Sequence, residues 1–107
     1  MNWNYENERI YSVDENNELM AELNFVFKEN GTVDIVHTYV NPQLRGQGIA
    51  EKLMVVVAEY FKEKGLKASA TCSYANSWLK KRRESYSNII SKDFDDQAVA
   101  CKIDGKH

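Results

Sequence analysis

The chain has 107 residues, of which 28% are charged, and its formal net charge at pH 7 is -2. This length is typical of one domain, so we expect a single domain over 1–107 that buries roughly two thirds of the surface of its unfolded chain. A slightly acidic chain has no overall attraction for nucleic acid or for an anionic membrane, so an anionic ligand would need a local basic site.

The cysteines and the apolar runs narrow the class of protein further. Cys72 and Cys101 show neither metal-ligand spacing nor a disulfide framework. The opening stretch MNWNYENERI lacks the basic start and apolar core of a signal peptide. No apolar run comes near the roughly 18 residues of a membrane span. We therefore expect a soluble cytoplasmic protein with no metal, membrane or nucleic-acid partner.

Three strand-like segments come first. Arg9 to Val13 is short with polar edges. In Leu19 to Phe27 apolar residues recur at every second position, as in a half-buried strand: Leu19, Ala21, Leu23, Phe25 and Phe27. The pair Asn30-Gly31 is a strong hairpin signal, so antiparallel pairing with the next segment, TVDIVHTYV, is expected. Alternation in that segment predicts one shared face for Val33, Ile35, His37 and Tyr39.

After Pro42 the apolar period changes from two to 3.6, which predicts an amphipathic helix ending at Gly65. Its apolar stripe consists of Ile49, Leu53, Val56, Val57, Tyr60 and Phe61. The next segment, LKASATC, is predicted to be a strand parallel to the one ending at Val40, through a right-handed crossover.

The remaining residues predict one or two short helices over SYANSWLKKRRESYSNIIS and no assigned structure for DFDDQAVACKIDGKH. The side chains expected to point inward are Trp78, Leu79, Tyr86, Ile89 and Ile90. The order of elements indicates an α+β fold, with a mostly antiparallel sheet and a central amphipathic helix that follows a glycine-containing loop.

That loop lies in the stretch NPQLRGQGIA, where two of the five glycines stand immediately before the helix. A helix start presents unpaired amide donors and the positive end of a dipole, and glycines let phosphate oxygens reach those amides. Arg45 adds a fixed positive charge beside them. The pattern is QxxGxG, formed by Gln43, Gly46 and Gly48. It indicates a pyrophosphate-binding loop, and the alternative is a merely tight strand-to-helix turn.

The segment VNPQLRGQGIAEKL resembles motif A of the GNAT superfamily of acetyl-CoA-dependent N-acetyltransferases, whose [QR]xxGx[GA] loop holds the coenzyme A pyrophosphate. The pair His37-Thr38 and the segment Thr71-Cys72-Ser73-Tyr74 are similar to motifs of its small single-domain YjdJ-type subgroup. The likeness runs from about Gly31 to Ile90. It implies a compact GNAT-like fold, acetyl-CoA as co-substrate and an amine acceptor. With no room for the acceptor-shaping helices and C-terminal strands of larger members, an open cleft for a poorly defined or macromolecular acceptor is implied.

The resemblance also implies roles for individual residues. The backbone of Val40 would pair with the pantetheine arm and help to polarise the thioester carbonyl. Asn76 is similar to an asparagine that contacts pantetheine in larger members. The pyrophosphate would be bound by Arg45 and by the backbone amides of Gly46, Gln47, Gly48 and Ile49.

Two residues are candidates for the proton-transfer chemistry. The resemblance implies that Cys72 is catalytic and either shuttles a proton or briefly carries the acyl group. The alternative is a buried core cysteine. His37 is a second candidate for the base because the pKa of histidine suits neutral pH, and its alternative is a structural role.

The sequence leaves three functions open. The first is transfer of acetyl from acetyl-CoA to an amine. The second is binding or sensing of coenzyme A without turnover. The third is a nucleic-acid surface made of the basic run KKRR with Tyr74, Trp78 and Tyr86, which the net charge argues against. The basic run itself, Lys80 to Arg83, is either a solvated helix end or a site for the 3′-phosphate of coenzyme A.

Overall fold

The computed structural model describes residues 2–92 and 94, and within them the chain forms five strands and two α-helices. The strands are β1 (Asn4–Glu6), β2 (Arg9–Val13), β3 (Leu19–Phe27), β4 (Thr32–Val40) and β5 (Lys67–Ala70). The helices are α1 (Ile49–Lys64) and α2 (Ser73–Lys81). The strands lie in one sheet in chain order, antiparallel except for β5, which runs parallel to β4. The predicted α+β class and parallel crossover are confirmed.

The turn between β3 and β4 has the conformation that its sequence predicts. Asn30 and Gly31 both adopt positive φ values, 60° and 73°, which asparagine and glycine tolerate best. The Lys28 amide donates to the Thr32 carbonyl at 2.8 Å and closes the hairpin. The hairpin prediction is therefore correct in both position and residue type.

The face predicted for the second half of β4 is wrong, because a β-bulge interrupts the alternation. Ile35 pairs with Phe25, but the next pair along is His37 with Asn24, so Val36 is an extra residue without a partner. Beyond it Thr38 pairs with the buried Leu23, on the core face. The consequence is that Thr38 and Val40 continue the face of Val33 and Ile35, whereas His37 and Tyr39 lie on the opposite one.

Helix α1 packs against the core face of the sheet. The Phe61 ring meets the Phe25 ring edge-on, with centroids 5.1 Å apart. The buried stripe is rotated slightly from the predicted one, since Met54 and Ala58 are buried while Val56 and Tyr60 are half-buried. This packing fixes where the start of α1 lies relative to the end of β4.

The chain after α2 returns to the sheet beside β5. Ile90 forms a parallel bridge with Ala68, and the Ser91 amide donates to the Ala68 carbonyl at 2.8 Å. Of the side chains predicted to point inward, Trp78, Leu79 and Ile89 are buried; Tyr86 and Ile90 are half-buried. Most of the unassigned C-terminal stretch, including Cys101, lies outside the described residues.

Candidate functional site

The loop between β4 and α1 is fastened to the sheet by Asn41. Its backbone amide donates to the Met20 carbonyl at 2.8 Å, and its side-chain amide donates to the Leu19 carbonyl at 3.2 Å. Its side-chain oxygen accepts the Gln43 amide at 3.0 Å, a local turn that asparagine favours. The start of the loop is therefore fixed before the glycines are reached, by a residue to which the sequence analysis gave no role.

The two glycines have left-handed backbones. Gly46 has φ 84° and Gly48 has φ 74°, and a Cβ built on either would meet no atom within 4 Å. Backbone conformation, not crowding, therefore requires glycine here. Gly48 is the N-cap residue of α1 and supplies no side-chain cap to the helix. The first turn of the helix therefore has no side-chain cap, and the space beside both glycines is open, as an anion site needs.

A cleft of about 420 Å³ lies beside this loop, between the end of β4, the first turn of α1 and the first turn of α2. Most of the predicted ligand-binding residues meet there. The lining residues are Thr38, Tyr39, Val40, Leu44, Arg45, Gly46, Gly48, Ile49, Ala50, Glu51 and Tyr74.

Arg45 lies between the loop and the end of β4. Its side chain is exposed, and its Nε donates a long hydrogen bond of 3.4 Å to the Val40 carbonyl. Since an exposed and weakly held guanidinium is easily redirected, Arg45 is available to pair with an anion at the loop.

Cys72 stands where β4 and β5 separate. The two strands pair only from Thr32 to Ile35 on β4, and the Cys72 amide donates to the Ile35 carbonyl at 3.0 Å. Cys72 is the N-cap residue of α2, and its half-buried Sγ lies 3.4 Å from the Thr38 hydroxyl oxygen. Thr38 lines the cleft, so the side chain of Thr38 lies between the cleft and the Cys72 thiol.

A buried carboxylate supports this strand end. Asp34 accepts the Thr71 amide and the Thr71 hydroxyl, both at 3.0 Å, and the Ser69 hydroxyl at 3.4 Å. These bonds fix the backbone immediately before Cys72. An acidic residue in the middle of an apolar strand was the available sequence signal for this role, and the sequence analysis did not use it.

Tyr74 is a lining residue that the sequence analysis did not place in the coenzyme site. Its side chain is 39% exposed, on the first turn of α2. Partial burial raises the pKa of the Tyr74 hydroxyl, and the nearby negative charge of Glu51 raises it further. Tyr74 is therefore protonated at neutral pH and can donate a proton in the cleft.

Besides Cys72, three predicted site residues lie apart from the cleft lining. His37 is exposed on the opposite face of the sheet, and Gln47 is exposed with its side chain 3.5 Å from the Gln43 carbonyl. Asn76 is buried, and its side-chain amide donates to the Ala70 carbonyl at 3.0 Å, which joins α2 to the end of β5. The side chain of Asn76 thus supports the strand end, next to Cys72.

The residues of the basic run at the end of α2 differ in their contacts. Lys80 and Lys81 are exposed in the last turn of the helix, where cations complement the dipole. Arg82 pairs with Glu51 at 2.9 Å, and Arg83 lies over the Phe94 ring, 5.4 Å from its centroid. Trp78 is buried, so stacking of a nucleic-acid base on this residue is not available.

Among residues 2–92 and 94, no group of His, Cys, Asp or Glu side chains is placed to hold a metal ion. Neither helix in this part of the chain is long and apolar enough to cross a membrane.

Comparisons with known proteins decide the family. The sequence profile described as GCN5-related N-acetyl-transferase matches residues 9–89, from the start of β2 to the turn after α2. The chain belongs to the GCN5-related N-acetyltransferase family. Every element that forms the cleft lies inside the matched residues.

Individual relatives agree with this family. Protein NATD1 from Xenopus tropicalis is 37% identical over 60 residues, which are 56% of this chain and 55% of that protein. The chain therefore spans about half the length of this curated relative. A GCN5-like candidate N-acetyltransferase from Staphylococcus aureus, solved by NMR, is 33% identical with a TM-score of 0.69, over 84% of this chain and 87% of that one. A GNAT-family acetyltransferase from Staphylococcus aureus Mu50 shares the fold alone, at 14% identity and a TM-score of 0.55, over 72% and 50%.

Membership of the GCN5-related N-acetyltransferase family confirms the GNAT-like fold. The YjdJ-type subgroup, the single domain over 1–107 and the cytoplasmic location stay predictions.

Proposed function

We propose that the protein binds acetyl-CoA in the cleft at the start of α1 and transfers the acetyl group to an amine. The observation that carries this proposal is one juxtaposition. A helix start with two left-handed glycines and an exposed, weakly held guanidinium lies beside a free thiol at the separation of β4 and β5. The first part suits a pyrophosphate and the second suits a thioester.

The binding roles follow from the geometry of the loop. The amides of Gly46, Gln47, Gly48 and Ile49 donate to the pyrophosphate oxygens, and Arg45 supplies a charge-assisted bond. The backbone of Val40, at the end of β4, receives the pantetheine arm and positions the thioester. Asn76 contributes to the pantetheine side through the strand end that it holds. The arm would then lead from the loop towards Cys72.

The chemical roles are shared between Cys72 and Tyr74. Acetyl transfer to an amine requires a neutral amine, removal of its proton after attack and a proton for the departing thiolate. Tyr74, which is protonated at neutral pH, donates the proton to the thiolate. Cys72 either relays the proton of the amine or accepts the acetyl group on Sγ and passes it to the amine, which regenerates the thiol. The Thr38 hydroxyl orients Cys72 in both routes.

Acetyl-CoA binding is tested first, by native mass spectrometry of the purified protein and by calorimetry with acetyl-CoA. Release of free coenzyme A thiol is then followed with a panel of amines that contains polyamines, amino acids and lysine peptides. We expect one bound acetyl-CoA and amine-dependent thiol release. Binding without release for any amine would instead favour the coenzyme A-binding or sensing function. Absence of binding would contradict both.

The role of Cys72 is tested by two substitutions. Cys72→Ser keeps the size and a hydrogen bond to Thr38, so we expect normal acetyl-CoA affinity with a rate lower by about 10²- to 10⁴-fold. Cys72→Ala serves as the comparison for packing, since a core role alone predicts lost stability with turnover retained. Intact-mass analysis for acetyl on Cys72 separates the covalent route from proton relay. Parent-level turnover in Cys72→Ser would transfer the role to His37 or a bound water.

A further inference from the structure

Glu51 places a negative charge in the lining of a cleft that otherwise suits an anion. It lies in the first turn of α1, and its side chain is 46% exposed. Its carboxylate accepts the indole N–H of Trp78 at 2.9 Å and lies 2.9 and 3.0 Å from Nη2 of Arg82. Both partners come from α2 and its C-terminal end, so Glu51 joins the two helices that flank the cleft.

The partners of Glu51 are themselves held in place. Trp78 is 4% exposed and packs on the Tyr86 ring at a centroid distance of 5.2 Å. The Arg82 guanidinium lies over the Trp78 ring, 4.5 Å from its centroid. A stacked guanidinium keeps its orientation better than a free one, so the position of the Glu51 carboxylate is defined.

Tyr74 is four residues before Trp78 on α2, and residues at this spacing lie on the same side of a helix. Tyr74 lines the cleft, while Trp78 bonds to Glu51. Together with the bond of Asn76 to the Ala70 carbonyl, this bond helps to fix the rotation of α2 about its axis and its distance from α1. Both quantities determine where the Tyr74 hydroxyl lies in the cleft.

We propose that Glu51 is a positioning residue for acyl transfer, which through Trp78 and Arg82 holds α2 against the start of α1 and so holds the Tyr74 hydroxyl in the cleft. This inference rests on the proposed function of the cleft. Arg82 has a second effect, because it neutralises the Glu51 carboxylate that would otherwise repel the pyrophosphate.

The charges around Tyr74 give this arrangement a measurable signature. After burial, the Glu51 carboxylate is the main cause that raises the pKa of Tyr74; Arg82 lowers it and Cys72 adds a small increase. Arg45 lines the same cleft. Removing the charge of Glu51 must therefore lower the pKa of Tyr74, and removing the charge of Arg82 must raise it.

The test uses NMR of the full chain, with the ring carbon of tyrosine and the indole N–H of tryptophan as probes. The variants are Glu51→Gln, Arg82→Ala and their double variant, with Glu59→Gln as matched control on the exposed side of α1. We expect a lower Tyr74 pKa in Glu51→Gln with the Trp78 indole shift retained, since glutamine still accepts that bond. Arg82→Ala should raise the pKa, and the double variant should bring it back close to the parent.

The affinity for coenzyme A and the rate of acetyl transfer test the functional consequence of the same contacts. Arg82→Ala should weaken coenzyme A binding, and the double variant should restore it. Glu51→Ala should lower kcat by about 10- to 100-fold without weakening coenzyme A binding.

The spectroscopic part decides the inference even if no amine is acetylated, so failure of the proposed function is recognised separately. An unchanged Tyr74 pKa in Glu51→Gln, or an unchanged Trp78 indole shift in Glu51→Ala, would overturn the proposal. Equal changes in Glu59→Gln would overturn it as well.

Discussion

The two ends of α1 use the same backbone conformation for opposite purposes. Gly48 before the helix has φ 74°, Gly65 after it has φ 72°, and a Cβ at either would meet no atom within 4 Å. At the C-terminal end, the Gly65 amide donates to the Lys62 carbonyl at 3.2 Å and the Leu66 amide donates to the Phe61 carbonyl at 2.8 Å. That end is closed by its own backbone.

The N-terminal end is left open. Gly48 gives no side-chain cap, and the cleft lies directly beside it. A left-handed glycine by itself therefore does not distinguish a helix terminator from a binding loop. What distinguishes them is whether the neighbouring backbone uses the helix's unpaired groups or leaves them to a ligand.

The largest expected effect is a difference in acetyl-CoA affinity between glycine substitutions at the two ends of α1. Gly46→Val and Gly65→Val both force a β-branched residue into a left-handed backbone, so each should cost about 1–3 kcal/mol in urea unfolding. Gly46→Val should also weaken acetyl-CoA binding by more than about 100-fold in calorimetry, since its side chain occupies the approach to the amides and the turn shifts. A similar loss of affinity in Gly65→Val would show that stability, and not the loop, controls binding.

The next effect concerns charge at the two ends. Arg45→Ala should weaken acetyl-CoA binding by about 10- to 100-fold, the usual contribution of a charge-assisted hydrogen bond of roughly 1.5–3 kcal/mol. Lys62→Ala removes one positive charge from the exposed far end of α1 and is the matched control. Calorimetry at one fixed salt concentration compares the two. Equal losses would mean that only the overall charge of the protein matters.

A smaller effect is expected across the sheet. His37 and Thr38 are neighbours in sequence, but the bulge at Val36 directs only Thr38 to the cleft. His37→Asn should therefore lower the acetyl-transfer rate by less than about 10-fold, well below the contribution of a positioned base. Initial rates at saturating acetyl-CoA measure this directly. A loss as large as that in Cys72→Ser would return the role of base to His37.

The smallest expected effect is a pH dependence of the stability of the protein, caused by Tyr74 in the cleft beside the open end of α1. The folded protein raises the pKa of Tyr74, mainly through burial, so the folded state holds this proton more tightly than the unfolded state. This difference adds to the free energy of unfolding, and the whole contribution is present below the pKa of unfolded tyrosine, about 10. It is lost as the pH rises from there through the higher pKa of Tyr74 in the folded state. Urea unfolding from pH 8 upwards should show the parent losing stability relative to Tyr74→Phe. Parallel curves would contradict the assigned direction.

Local signals in the sequence predicted the elements whose causes are local. The Asn30-Gly31 turn and the helix that ends before Gly65 both depend on residues close together in the chain. The strand β1 was missed because all three of its residues are exposed, so no alternation marks it.

The errors at the site have physical causes that span the chain. The bulge at Val36 reverses the alternation, and a single sequence contains no signal for one unpaired residue in a strand. The bonds of Glu51 to Trp78 and Arg82 join residues far apart in sequence, so periodicity cannot reveal them. The position of the glycine loop before α1 was predicted because a helix start is a local feature, and the binding roles of its residues stay predictions.

One measurement tests directly whether the open end of α1 binds the pyrophosphate. The ¹⁵N-labelled protein is titrated with coenzyme A and, separately, with pantetheine, which lacks the pyrophosphate, and backbone amide shifts are followed. The account predicts large shifts of the amides of 46–49 with coenzyme A, much smaller ones with pantetheine, and none at Gly65 and Leu66. Two results would contradict binding of the pyrophosphate at this end. One is equal shifts of the 46–49 amides with both ligands, and the other is the absence of any shift at 46–49 with coenzyme A.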